Sequence, residues 1–262
     1  MKGSSNRDAT AAEKDEVLLE HFKADLHIHT CLSPCTEWEM SPKKIVERSL
    51  KKDLDIIAIC DHNSAENTGA VIRSIKSDRL SIIPGMEICS REEVHILALF
   101  GELGQALVMQ QYVYGHLPGQ NEAKVFGYQI IADENDEVLG ESSRLLIGAT
   151  ELGLQEIVTK ARSLGGLTIA SHVDRTGFGI IGQLGFIPDD LRIDGVEISY
   201  RTPLKTARDS IPGIRDFPCV TSSDAHYPDD IGRAWTSFLL AAPTVEEIRL
   251  ALKGEKGRKV VI

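Results

Sequence analysis

Asp25-Leu26-His27-Ile28-His29-Thr30 holds two histidines two residues apart. On a strand, positions i and i+2 point to one face. Two imidazoles presented together, with an acid two residues before them, make half of a metal site. The other half is scattered downstream, mostly at the ends of apolar runs. Asp61-His62 ends one run and Glu87 ends another. His95 sits in Glu93-Val94-His95-Ile96-Leu97, His172 follows residues 167–171, and Asp224-Ala225-His226 follows residues 220–223. Six of the 8 histidines stand in these motifs, and only His21 and His116 do not. Taken singly, each has a plainer reading. His27 and His29 could be a solvated strand end, and His95, between Val94 and Ile96, a core histidine. A buried histidine pair with no partner is costly to charge, and here partners are abundant.

Positioning these residues requires elements that alternate. Strands are expected over 23–28, 54–60, 80–88, 94–100, 167–171, 193–199 and 218–222, and helices over 42–52, 64–77, 151–164 and 245–253. Ser41-Pro42 supplies an N-cap followed by proline at the first helical position. Gly165-Gly166 supplies a stop. Strand–helix alternation implies a parallel sheet. Nearly every candidate falls at or just after a strand end, where a barrel of this kind places its site. Residues 101–150 break the rhythm. There, 126–132, an acidic stretch 133–137 and 138–140 read as a β-hairpin, an insertion that could cap the pocket. Residues 1–20 are charged and read as a flexible tail, and 21–262 as one domain.

This order of motifs resembles the PHP (polymerase and histidinol phosphatase) family over roughly residues 22–240, in the manner of its small stand-alone phosphoesterases. The resemblance implies an α/β fold, a distorted (β/α)7 barrel. It implies two to three divalent ions, Mn, Fe or Zn by the ligand chemistry. His27, His29, Glu87 and Asp224 would hold the first. Glu87 would bridge to a second, shared with His95 and His172. A third would use His62 and His226 with a further histidine, but Cys35 stands in that place. A thiolate there favours zinc or another soft ion; otherwise the third site is weak or vacant. Asp61 is either a ligand or an acceptor for a ligating histidine. Arg175 and Arg201 are the candidates for substrate phosphate, and Asp61, Asp224 or His226 for the leaving-group proton.

Hydrolysis of small nucleotide-type phosphate monoesters by metal-bound hydroxide is the leading functional expectation, with aryl monoesters cleaved faster than diesters. The alternatives are a 3′–5′ exonuclease on short oligonucleotides and a non-catalytic metal-dependent regulatory module. A four-cysteine centre from Cys31, Cys35, Cys60 and Cys89 is disfavoured, because Cys60 adjoins Asp61 and strand neighbours face opposite sides. The net charge of −10 argues against duplex nucleic acid, and that charge with 5% aromatic content argues against the exonuclease. A small phosphorylated partner is expected instead. No apolar run approaches the ~20 residues that span a bilayer. The polar start lacks a signal-peptide core, so neither a membrane partner nor a location outside the cytoplasm is expected.

Overall fold

The computed structural model describes residues 17–211 and 213–261. Most of the tail expected over 1–20 lies outside the described residues, and its last residue, Glu20, already belongs to the first strand. In chain order the elements are β1 (Glu20–Ile28), α1 (Pro42–Lys51), β2 (Ile56–Ile59), α2 (Thr68–Ser74), β3 (Ser81–Cys89), β4 (His95–Leu99), α3 (Leu103–Tyr114), α4 (Ala123–Phe126), β5 (Ile130–Ala132) and β6 (Val138–Glu141). They continue with α5 (Leu154–Ser163), β7 (Leu167–Ala170), α6 (Ile180–Leu184), β8 (Gly195–Ser199), α7 (Leu204–Ser210), β9 (Cys219–Ser222), β10 (Thr236–Leu240), α8 (Val245–Lys253) and β11 (Lys259–Val261). Pro42 takes the first position of α1 as expected, while the Ser41 side chain makes no capping bond. Gly165, at φ +79°, turns the chain out of α5.

Nine strands form one sheet in the order β11-β10-β1-β2-β3-β4-β7-β8-β9. The seven strands from β1 to β9 curl until the ends nearly meet. A parallel bridge joins Ile28 to Ala225, and the His29 N–H donates to the Ala225 carbonyl at 3.0 Å. The result is a nearly closed α/β barrel. All seven expected barrel strands are present; β10 and β11 extend the sheet antiparallel beyond β1.

One expectation needs correcting. The barrel is not wholly parallel, because β4 runs antiparallel to both β3 and β7. Only residues 90–94 separate β3 from β4. A parallel return needs a crossover of a dozen residues or more, whereas a short loop gives a hairpin. The reversal matters for the site, because it brings the start of β4, at His95, to the rim where its neighbours end.

Alternation along the strands sorts core from site. Met86 and Ile88, Ile96 and Ala98, and Val196 and Ile198 pack into a buried cluster with Met109 of α3 and Ile157 of α5. The residues between them, Glu87, Leu97 and Glu197, therefore face inward. The expected hairpin over the acidic turn is there, as the two-stranded β5–β6 sheet. It is fastened to the loop after β1: the Ile130 N–H donates to the Cys31 carbonyl at 2.9 Å, and Gly127 sits where a Cβ would lie 2.2 Å from the Pro34 carbonyl oxygen. All five cysteines are free, and Cys60 is buried in the core. No helix among the described residues is long and apolar enough to cross a membrane.

Candidate metal centre

Glu87 is the hub of the site. Its carboxylate has five imidazoles within 3.6 Å: His95 Nδ1 at 2.9 Å, His62 Nδ1 at 3.0 Å, His172 Nε2 at 3.2 Å, His27 Nε2 at 3.4 Å and His29 Nε2 at 3.6 Å. Burial alone would raise the Glu87 carboxyl. The imidazoles of His95 and His27 instead hold it well below the usual carboxylate range. Asp224 follows the same logic, with burial overcome by His27 and His29.

Three groups of donors converge here: His27, His29 and Asp224; His62, Glu87 and His95; and His29, His62 and His226. In the first group, His27 Nε2 and His29 Nε2 stand 3.1 Å apart, and Asp224 Oδ1 lies 3.4 and 3.3 Å from them. Donors at ~2.1 Å from one ion in a tetrahedron stand about 3.4 Å apart, so the spacing fits a metal.

The tautomers make the same case more strongly. His27 Nδ1 lies 3.1 Å from a Glu197 oxygen, an acceptor, so Nδ1 carries the proton and Nε2 a lone pair. Ser33 donates its hydroxyl to Asp61 at 2.7 Å, so it must accept from His29 Nδ1 at 3.0 Å. His29 Nε2 is then also a bare lone pair. Two lone pairs facing each other beside two carboxylates call for positive charge between them, a metal ion or, in its place, a proton. His95 Nδ1, though close to Glu87, is not aligned for a hydrogen bond, and His172 Nδ1 likewise has no partner. This donor set fits divalent metal ions.

The backbone is bent to deliver these groups. His172, Asp224 and Asn63 hold φ of +29°, +49° and +51°. Non-glycine residues reach this region at a cost of order 1–3 kcal/mol, and such strain gathers at functional sites. Asn63 repays part of it: its N–H donates to the Glu87 carbonyl, and its side-chain oxygen accepts from the Cys89 N–H. Asp25 accepts from the Ser223 and Gly232 N–H groups, tying β1 to the Asp224 loop; burial pushes its pKa up to about 6.

The remaining expected residues divide. Cys35 lines the same cavity as His62 and His226. Burial would raise its thiol, but these two imidazoles bring it down to about 6. Asp61 is not turned to the cluster. Its oxygens accept from the Thr30 N–H, the Thr30 hydroxyl and the Ser33 hydroxyl, each at 2.7 Å. Its link to the donors runs through Ser33 to His29. Arg175 lines the cavity and pairs with Asp224 at 2.6 Å, while its buried Nε has no partner. Arg201 is turned away, with its Nε donating to the Tyr200 hydroxyl at 3.1 Å. The cavity measures about 200 Å³.

The PHP domain family model matches residues 25–163, more than half of the chain, and a PHP-associated model matches residues 214–256. The chain belongs to the PHP family. The uncharacterized protein YqxK of Bacillus subtilis is 26% identical over 223 residues, covering 83% of this chain and 56% of YqxK. The lesion-specific endonuclease Q of Pyrococcus furiosus shares the fold with a TM-score of 0.70 at 22% identity, over 93% of this chain and 58% of that one. An endonuclease Q complex with a 27-mer duplex bearing an abasic lesion at the active site also gives a TM-score of 0.70, at 23% identity over 92% of this chain. A two-domain Bacteroides vulgatus protein containing a predicted PHP-like metal-dependent phosphoesterase gives 0.52 at 16% identity, covering 99% of this chain and 70% of that one. This chain thus spans little more than half the length of YqxK and endonuclease Q.

The expectation of a small phosphorylated partner, with duplex nucleic acid excluded, is overturned: a PHP-type fold covering nine-tenths of this chain is found engaged with duplex DNA in endonuclease Q. Net charge was the wrong guide, because it averages the whole surface while a strand meets only the rim of one cavity.

Sequence reasoning also missed Glu197 as a functional residue of this PHP site. It is buried on β8, orients His27 through Nδ1 and accepts the His172 N–H at 3.1 Å. Residues that fix a ligand's tautomer are worth 10–100-fold in metal affinity. Glu197→Gln should therefore weaken metal binding about 10–100-fold while the protein stays folded. Competition against a calibrated chelator measures this, and unchanged affinity would show that Glu197 is only a packing residue.

Proposed function

We propose that this chain is a metal-dependent phosphodiesterase that cuts nucleic acid, using two to three divalent ions, Mn, Fe or Zn. His27, His29, Glu87 and Asp224 would hold one ion. Glu87 would contribute to a second, with His95 and His172. His62 and His226, with Cys35, would hold a third, where the thiolate would favour a soft ion. Bound divalent ions activate water as a nucleophile and neutralise phosphoryl oxygens.

The chain's own groups do the rest. Arg175 is anchored by Asp224 through Nη2, which leaves the exposed part of its guanidinium to orient a phosphoryl oxygen. Of the three groups offered for the leaving-group proton, Asp61 is spent on Thr30 and Ser33, and Asp224 is held ionised among imidazoles. His226 Nδ1 donates to the Asp224 carbonyl at 2.9 Å and its other nitrogen would face the third ion, so it is free to act only where that ion is absent.

The endonuclease Q likeness carries the diester reading. Among the described residues, Arg175 alone of the arginines and lysines lines the cavity, and part of its guanidinium is already paired, so bound ions would supply most of the charge that meets a phosphate. With Mn²⁺, a bis-aryl phosphate should turn over faster than the matching aryl phosphate. Oligonucleotides, single-stranded or duplex with an abasic site, should be cut internally. Preference for the aryl monoester, with every oligonucleotide left intact, would sink the proposal.

A further inference from the structure

Phe178 helps to position His95, whose N–H donates to its carbonyl at 2.9 Å, but that does not explain why so much of its side chain is left exposed. Its backbone holds φ +60°, a conformation costing an L-residue roughly 1–2 kcal/mol. Its ring is 42% exposed. Gly179, where a Cβ would lie 2.5 Å from the Arg175 carbonyl oxygen, tightens the turn that throws the ring outward. That ring lines the metal cavity and stacks on His95, with centroids 4.5 Å apart and planes 21° from parallel. Strain and apolar exposure at one cavity mouth are what a contact residue shows.

A second aromatic is held beside the same site. Tyr200 is 38% exposed, with the Arg233 guanidinium 3.6 Å above its ring. Arg233 is itself fixed by donating to the Ser223 and Asp224 carbonyls. The Tyr200 loop is stapled to the loop of Arg175 and Phe178 by Asp174. That carboxylate accepts from the Ser199 N–H at 2.8 Å, and from the Ser199 and Thr202 hydroxyls at 2.6 Å each. In a chain of net charge −10 with 5% aromatic residues, these joined loops gather Phe178, Tyr200, Arg175 and Arg201.

We infer that Phe178 and Tyr200 are stacking platforms for unpaired bases flanking the bond that is cut, with Arg201 gripping a neighbouring phosphate. The inference rests on the phosphodiester reading above and names the strand feature that the site recognises. Aromatic faces bind any base, and arginine beside them binds the backbone. It also explains why Arg201 leaves the cavity: it serves the strand outside and not the phosphate within.

The test compares a short labelled oligothymidylate with an all-abasic strand of equal length and charge. Both strands carry phosphorothioate linkages that resist cutting, fluorescence anisotropy reads binding to the metal-loaded protein, and a gel confirms that the strands are uncut over the measurement. The base-bearing strand should bind roughly tenfold more tightly. Phe178→Leu and Tyr200→Leu should each shrink that ratio without moving the abasic strand's Kd, and Phe178→Trp should keep it. Two variants on separate loops guard against one failing to fold. Binding of both strands with no base preference, or a preference that survives both leucine variants, overturns the inference and leaves the phosphodiester reading standing. Binding of neither strand overturns both.

Discussion

Glu87→Gln should remove turnover and metal together. The Glu87 carboxylate lies within 3.6 Å of five imidazole nitrogens and is 1% exposed. Glutamine keeps its volume but loses the charge and one of the two acceptor oxygens. Around it would remain imidazoles whose lone pairs still need a cation, now with less negative charge to hold one. Breaking a buried ionic set by removing one member costs ~3–5 kcal/mol, which corresponds to about 10²–10⁴-fold in affinity. Because Glu87 touches donors of more than one group, the loss should exceed one ion per chain. Elemental analysis beside circular dichroism separates metal loss from unfolding. A folded variant with normal metal content and normal turnover would refute the hub role.

The donors were legible in the sequence for a physical reason. In a barrel the site lies where strands end, so His62, Glu87, His172 and Asp224 stand at the ends of apolar runs that can be read by eye. His95 broke that rule only because β4 is reversed. The five residues between Cys89 and His95 carry that information, since no parallel crossover fits in them. Glu197 was hidden because one acid among Val196, Ile198 and their neighbours reads like any outward residue of a half-exposed strand. Its one signal was that a parallel strand is buried on both faces, so a lone carboxylate there must be paired. The directions of Arg175 and Arg201 were not legible at all. Both follow motif strands, and only tertiary contacts turn one into the cavity and the other onto Tyr200. The partner expectation failed because net charge sums the whole surface and says nothing of one rim. Composition likewise counts arginines and aromatics without saying that Phe178, Tyr200 and Arg201 share two loops joined by Asp174.

Stripping the metal should lower thermal stability by about 10 °C, and by more at higher pH. An ion held at a thousand times its Kd contributes about 4 kcal/mol. For a domain of this size each kcal/mol moves Tm by roughly 2–4 °C. The pH term follows from the protons that replace the ions. In the metal-free site, burial would lower the pKa of His27, but Glu197, Asp224 and Glu87 raise it well above 6.5. His62 and His226 are also raised, against burial, by Cys35 and a nearby carboxylate. A histidine with a raised folded pKa contributes stability that is full below its unfolded value, ~6.5. That contribution is lost as pH rises through the folded pKa. Stripped protein should therefore weaken from neutral pH upward. The metal-loaded form should instead gain, because ligands bind ions only when deprotonated and rising pH removes the competing protons. Both trends widen the gap between the two forms as pH increases. Calorimetry of the loaded, chelator-treated and reloaded protein across that range reads the gap directly. Equal Tm values at every pH would mean that the buried histidines and carboxylates satisfy one another without ions, contrary to the facing lone pairs of His27 and His29.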